Sequence, residues 1–207
     1  DSEPMYYENL PFRFDTRGII YNKRGHVYKV NLGTNKFNKI VDGDKNQIIS
    51  IGSLVESDKG IVFSYEKYNS KGTRLEEKVG SLETKKIKEI HSRGSMGNLF
   101  YYEGDLHAVG LKNRFDWPTN TSILKISRDG KVSFKDRTFD RNVVKAEVNN
   151  SVLYFLYEDS GKTLLRDGTN NIDLIDAEIT VKDFAFNNDK TYVIANSFSK
   201  PDEVYEL

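Results

Sequence analysis

Three histidines, His26, His91 and His107, are the residues best able to hold a transition metal. Three imidazoles can make a zinc site that leaves one position open for chemistry. No His-x-His or His-x₃-His spacing draws any two of these into a shared set, so ordinary strand histidines account for them. Asp42-Gly43-Asp44 and Asn187-Asn188-Asp189 are oxygen-rich, as a calcium loop is. Neither continues into a ligand ladder closed by a glutamate, and turn chemistry explains both. Glu76-Glu77 falls on an expected strand, where one carboxylate is exposed and one faces the edge; a glycosidase pair needs two that converge on a groove. The chain has no cysteine, which removes thiolate nucleophiles, cysteine-bound zinc and disulfides. The reading is therefore no catalytic residue, no metal and no cofactor.

Recognition is better represented. Lys112-Asn113-Arg114-Phe115-Asp116-Trp117-Pro118-Thr119-Asn120 interrupts a run of strands and holds the single Trp. Arg114, Phe115 and Trp117 together offer rigid contact area and a charge, suited to a partner domain or a peptide terminus. The plainer alternative packs Trp117 over its own sheet and pairs Arg114 with Asp116. Arg13 and Arg17, flanking Phe14, are a second candidate, because a guanidinium can grip a carboxylate bidentately. Their alternative role is structural, in a segment that crosses between units.

What must position these residues is a repeat. A short strand, a polar tight turn, an apolar strand and two further strands recur along the chain. The first pairs are Ser50–Val55 with Ile61–Tyr65, and Asn98–Tyr102 with Leu106–Gly110. Val144–Val148 with Ser151–Tyr157, and Asp183–Phe186 with Thr191–Ala195, follow. Asn, Asp and Gly fill the turns because two-residue hairpins need positive φ. The turns recur about every 40–46 residues, the spacing of propeller blades. Outer hairpins follow in the same rhythm, among them His26–Val30 with Lys36–Val41 and Ser122–Ile126 with Lys131–Phe134. Alternation of apolar and polar residues runs through them, and no amphipathic helix is expected.

The expected fold is all-β, a β-propeller of about five blade equivalents within a six- or seven-bladed whole. The units span 10–44, 45–91, 92–137, 138–178 and 179–207. The first lacks clear inner strands and the last an outermost strand, an exposed edge that a neighbouring segment or chain is expected to cover. Asp1 at the start is read as a processed or truncated N-terminus.

Charge narrows the partners. Lys and Arg number 31, as do Asp and Glu, so no overall field favours nucleic acid or an anionic membrane. Lys85, Lys86 and Lys88 cluster, but Glu83 and Glu89 flank them. No apolar run reaches the ~18–20 residues of a membrane span. Lack of cysteine favours a cytoplasmic location.

One family resemblance covers nearly the whole chain in order. Leu10-Pro11-Phe12-Arg13-Phe14-Asp15-Thr16-Arg17-Gly18, followed by His26-Val27-Tyr28-Lys29-Val30-Asn31-Leu32, is similar to a mid-propeller stretch of the prolyl oligopeptidase class, particularly acylaminoacyl peptidases. Glu56–Phe63 resembles a degenerate Ser-Pro-Asp-Gly-Lys hairpin of those blades, and Thr138–Val143 a segment before a late blade. Ser197–Tyr205 resembles their closing strand. The resemblance implies a propeller that precedes an α/β-hydrolase domain with a Ser-Asp-His triad and admits short peptides to it. That domain's Gly-x-Ser-x-Gly elbow does not occur, since Gly94-Ser95-Met96-Gly97 has the wrong spacing. The expectation is a non-catalytic gate, partnered by a hydrolase domain of the same parent protein. A stand-alone module binding peptide, protein or carbohydrate is the alternative, and an enzyme with its site in the propeller channel ranks last.

Overall fold

The computed structural model describes residues 13–14, 18–19, 24–57, 60–71, 74–83, 86–91, 94–113, 119–175 and 178–207. The chain divides into two compact units, 1–93 and 94–207.

In the first unit, β1 (Arg13–Phe14) pairs with β2 (Gly18–Ile19), and β3 (Val27–Asn31) with β4 (Lys36–Val41). A four-stranded antiparallel sheet follows, ordered β5 (Ile48–Ser57), β6 (Gly60–Tyr68), β7 (Leu75–Glu83) and β8 (Lys86–His91). Its second strand is the most apolar, and Val62, Phe63 and Tyr65 are all buried. Phe63 and Tyr65 join Val41 and Ile48 in the core of this unit. Strand β5 is irregular, slipping register between Ile51 and Leu54. There Ser64 Oγ accepts the Ser53 N–H at 2.9 Å, giving a backbone donor of the irregular stretch a partner.

Between β4 and β5 the chain makes a helix, α1 (Gly43–Asn46), where sequence reading expects a simple turn. Asp42 caps it, its carboxylate accepting the Asp44 N–H, and Gln47 closes it in the left-handed region at φ 56°. One turn is too short to leave an apolar period, so alternation could not reveal it. Gly43 is required there, because a Cβ would fall 2.0 Å from the Gly25 carbonyl oxygen.

The second unit stacks three sheets built on one plan. The first is β9 (Ser95–Tyr102), β10 (Asp105–Leu111), β11 (Ser122–Ile126) and β12 (Val132–Phe134). Next come β13 (Asn142–Asn149), β14 (Val152–Asp159), β15 (Lys162–Asp167) and β16 (Ile172–Asp173). Last are β17 (Thr180–Asn187), β18 (Lys190–Ser197) and β19 (Lys200–Glu206), a sheet of three. All pairings are antiparallel between consecutive strands, the meander that short turns permit. The tight turns carry positive φ at Glu103 and Gly104, Asn150 and Ser151, Ser160 and Gly161, and Asn188. Such turns twist with the strands they join.

Each first strand also holds one extra residue. Asn98, Val144 and Lys182 stand unpaired where the register shifts against β10, β14 and β18. These bulges reset which residues face inward. Val143 is 2% exposed and Val144 48%, yet Ala146 is again fully buried.

Two cores lie between the sheets. Phe100, Val109 and Ile123 pack with Val143, Leu153 and Phe155. On the opposite face of the middle sheet, Leu156 and Leu165 pack with Val181, Phe184 and Val193. Successive meanders packed face to face are the blades that the repeat predicts. No described helix is long and apolar enough to cross a membrane.

Candidate functional site

The five residues singled out for recognition fall largely outside the described structure. Arg17, Arg114, Phe115 and Trp117 lie outside the described residues, and Arg13 is described in its backbone alone, within β1. The structure does show how the Arg114–Trp117 loop is anchored. It leaves β10 at Leu111 and returns at Thr121, which is tied to the first strand of the next sheet. Asn142 Oδ1 accepts the Thr121 N–H at 3.0 Å and lies 2.6 Å from its hydroxyl. Val143 N–H donates to the Thr121 carbonyl at 3.0 Å, and the Thr121 hydroxyl also reaches the Val143 carbonyl. Asn120 Nδ2 donates to Asp140 Oδ1 at 3.1 Å. A loop root held by this many bonds can present variable side chains on a fixed base.

Beside that root lies a depression of about 510 Å³. Asn120, Arg141, Asn142, Glu158, Asp159 and Lys162 line it. Arg141 Nε donates to Asp159 Oδ1 at 3.0 Å, and Asn142 Nδ2 to Glu158 Oε2 at 2.6 Å. The surface is polar and carries both signs of charge. Such a surface can align polar groups of a partner; its one hydroxyl–carboxylate contact, Ser160 donating to Asp159 Oδ1 at 3.2 Å, is between chain neighbours in an exposed turn. Sequence reading missed it because its residues come from three separate turns, and only Asn120 belongs to the segment singled out.

Two of the histidines are placed informatively. His107 on β10 is 3% exposed, stacked on Phe100 with ring centroids 5.6 Å apart and edge-on to Tyr102. Burial lowers its pKa, against the opposing hydrogen bond from its ring to the Asp105 carbonyl. It is a core histidine.

His26 meets Asp42 and Asp44, a convergence that the sequence hides because sixteen residues separate the partners. Each ring nitrogen lies 3.8 Å from one carboxylate. One donor atom from each residue falls within 4.8 Å of the others, close enough for a cation. The hydrogen bonding argues for another role. Gly43 N–H donates to Nδ1 at 3.1 Å, which leaves the proton of the neutral ring on Nε2, the nitrogen facing Asp44. His26 thus accepts from the first helical N–H, completing the cap that Asp42 begins.

A third cluster joins two sheets. Lys145 Nζ donates to Asp183 Oδ1 at 2.7 Å and the Phe184 carbonyl at 3.0 Å, and lies 2.8 Å from Glu147 Oε1. It also sits over the Phe184 ring, 4.6 Å from the centroid. Burial disfavours its charge, but the bonds to Asp183 and Glu147 outweigh that and raise its pKa. Hydrogen bonding to Lys145 in turn lowers the pKa of Asp183. This is a structural tie between β13 and β17.

No protein-family model matches the chain, and no curated protein matches it. Among solved structures, an acylaminoacyl peptidase of Pyrococcus horikoshii superposes on all of it with a TM-score of 0.75 at 14% identity. The chain spans 33% of that peptidase. The β-propeller domain of the trilobed protease of Pyrococcus furiosus aligns with 87% of the chain and 88% of itself, at 15% identity. Its TM-score of 0.31 is too low to bear on the fold. The sheets and the first of these superpositions make the chain a β-propeller protein, with a fold found within an acylaminoacyl peptidase.

Proposed function

We propose that this chain is the non-catalytic propeller part of an acylaminoacyl-peptidase-like serine peptidase, and that it admits short peptides to a hydrolase domain of the same parent protein. The observation that carries the reading is the superposition of the entire chain on a third of such a peptidase. The ordered resemblance from Leu10-Pro11-Phe12-Arg13-Phe14 to Val204-Tyr205 supports it from the sequence alone. Blades at 10–44, 45–91, 92–137, 138–178 and 179–207, within a ring of six or seven, belong to the same proposal. So does a cytoplasmic location.

In this reading Arg114, Phe115 and Trp117 face the hydrolase domain or an arriving peptide, from a loop held firmly at Thr121. Arg13 and Arg17 offer guanidinium groups to a peptide carboxylate.

The test uses the full-length gene product. A fluorophosphonate probe is expected to label one serine beyond Leu207, and the protein to release acylated residues from short peptides. No labelled serine and no turnover would overturn the proposal. The gate has its own readout. Trp117→Ala is expected to raise hydrolysis of long peptides relative to short ones by about tenfold, with kcat on the shortest substrate unchanged. An unchanged ratio removes Trp117 from the gate.

A further inference from the structure

Within the second unit, a cavity of about 240 Å³ opens between the sheets β9–β12 and β13–β16. Its inner wall is apolar. Val143, Leu153 and Phe155 are 2%, 0% and 5% exposed, and Ile123 and Phe139 complete it. Phe139 meets Phe155 edge-on with centroids 5.2 Å apart. Gly168 makes room for that ring, since a Cβ there would come within 2.6 Å of Phe155 Cε1. The volume exceeds the ~150 Å³ that accepts a benzene ring and falls short of the ~300 Å³ where drug-sized pockets begin. One amino-acid side chain is the matching size.

The outer wall is charged, with both signs present. Lys135 and Asp136 are exposed and line the same cavity, which their bend just after β12 allows. The Lys135 N–H donates to the Ile123 carbonyl at 2.9 Å, fixing its backbone at the rim. Its ammonium lies over the Tyr102 ring, 5.1 Å from the centroid, and its charge acts on the neighbouring Asp136. Asp136 Oδ1 accepts the Thr138 N–H and hydroxyl, both at 2.7 Å. Those bonds hold the carboxylate in place and favour its ionised form. Ser122 and Asn171 add polar groups to the lining.

An apolar slot for one side chain, with an ammonium and a carboxylate beside its mouth that form no ion pair with each other, matches one ligand chemistry. We propose that this cavity binds a free hydrophobic α-amino acid, its side chain against Phe139 and Phe155, its carboxylate on Lys135 and its ammonium on Asp136. A zwitterion satisfies both rim charges at once. A peptide terminus satisfies one and leaves the other partly desolvated without a counter-charge from the ligand, which is unfavourable.

The experiment is calorimetric titration of the full-length protein with L-phenylalanine and L-leucine, after any reactive serine is blocked by fluorophosphonate. Saturable binding is expected for both, and N-acetyl-L-phenylalanine, L-phenylalaninamide and glycine should each bind at least tenfold more weakly. Lys135→Met should weaken L-phenylalanine tenfold or more and leave the amide unchanged. Asp136→Asn should do the converse for the acetylated compound. Circular dichroism confirms that both variants fold. No saturable binding at about 10 mM ligand overturns the proposal. So does L-phenylalanine binding that is indifferent to Lys135→Met, or equal binding of the capped analogues. Because the peptidase site is blocked, these outcomes are independent of whether the chain gates a hydrolase.

Discussion

The middle and last sheets of the second unit share one plan and differ in how many neighbours they have. Sheet β13–β16 is covered on both faces, by Ile123 and Val109 on one side and by Val181 and Phe184 on the other. Its second strand, Val152–Asp159, accordingly holds a run of apolar residues, and Phe155, Leu156 and Tyr157 are all buried. Sheet β17–β19 packs one face on the middle sheet, and its other face is more exposed. In β18 Val193 and Ala195 are each 1% exposed, but Ile194 between them is 40% exposed and Val204 opposite is 70% exposed. Continuous apolar sequence therefore marks a strand between two packed layers, and alternation marks one at a boundary. Whether a sheet is interior to the stack is written in its second strand.

Removing a side chain from each sheet breaks the comparison most forcefully. Leu156→Ala deletes a group that is 1% exposed, and should lower the free energy of unfolding by about 2–5 kcal/mol, measured by urea denaturation. A loss below about 1 kcal/mol would mean that the middle sheet is not the double-sided layer described.

The tie between the sheets gives a smaller effect with a definite sign. Hydrogen bonding to Lys145 lowers the folded-state pKa of Asp183, while burial opposes it. The unfolded value is about 3.9. The contribution is therefore complete above the unfolded pKa and lost as pH falls through the folded one. Asp183 is 56% exposed, so solvent screening keeps the pair below about 1 kcal/mol. Asp183→Asn should lower Tm at pH 7, and the difference from wild type should shrink below about pH 4. A difference that stays constant into acid would show that the pair does not couple the sheets. Smallest of all, Val204→Thr on the exposed face of β19 should stay within about 0.5 kcal/mol of wild type. A larger loss would show that something covers that face.

Hairpins were the most legible part of the fold. Asn150 at φ 48° and Gly104 at φ 78° sit in the turns that their side chains, or lack of one, make easy. Strands β14 and β18 declared themselves by composition. The bulges at Asn98, Val144 and Lys182 did not, because an extra residue is defined by its partner strand. Helix α1 stayed hidden because its cap draws on His26, far back in the chain. The site was read least well. Lys135, in the bend after β12, and Phe155, on β14, stand twenty residues apart, and no spacing rule joins them. Of the residues that sequence did single out, the structure describes the root of the Arg114–Trp117 loop, not the side chains.

The pairing of β19 also has a mechanical meaning. Its partners run from Tyr192 with Glu206 to Ser197 with Lys200, so Leu207 lies at the open end of the hairpin. Tension arriving through Leu207 loads these backbone bonds one after another, beginning with the one that Leu207 itself donates to Thr191. The strand would peel like a zip and not shear as a block. Lys190 with Glu206 acts as a rivet on the seam, and Lys182 on β17 with Asp202 holds β19 from across the sheet. A pull at this point would release one strand at low force before the buried β14 felt any load.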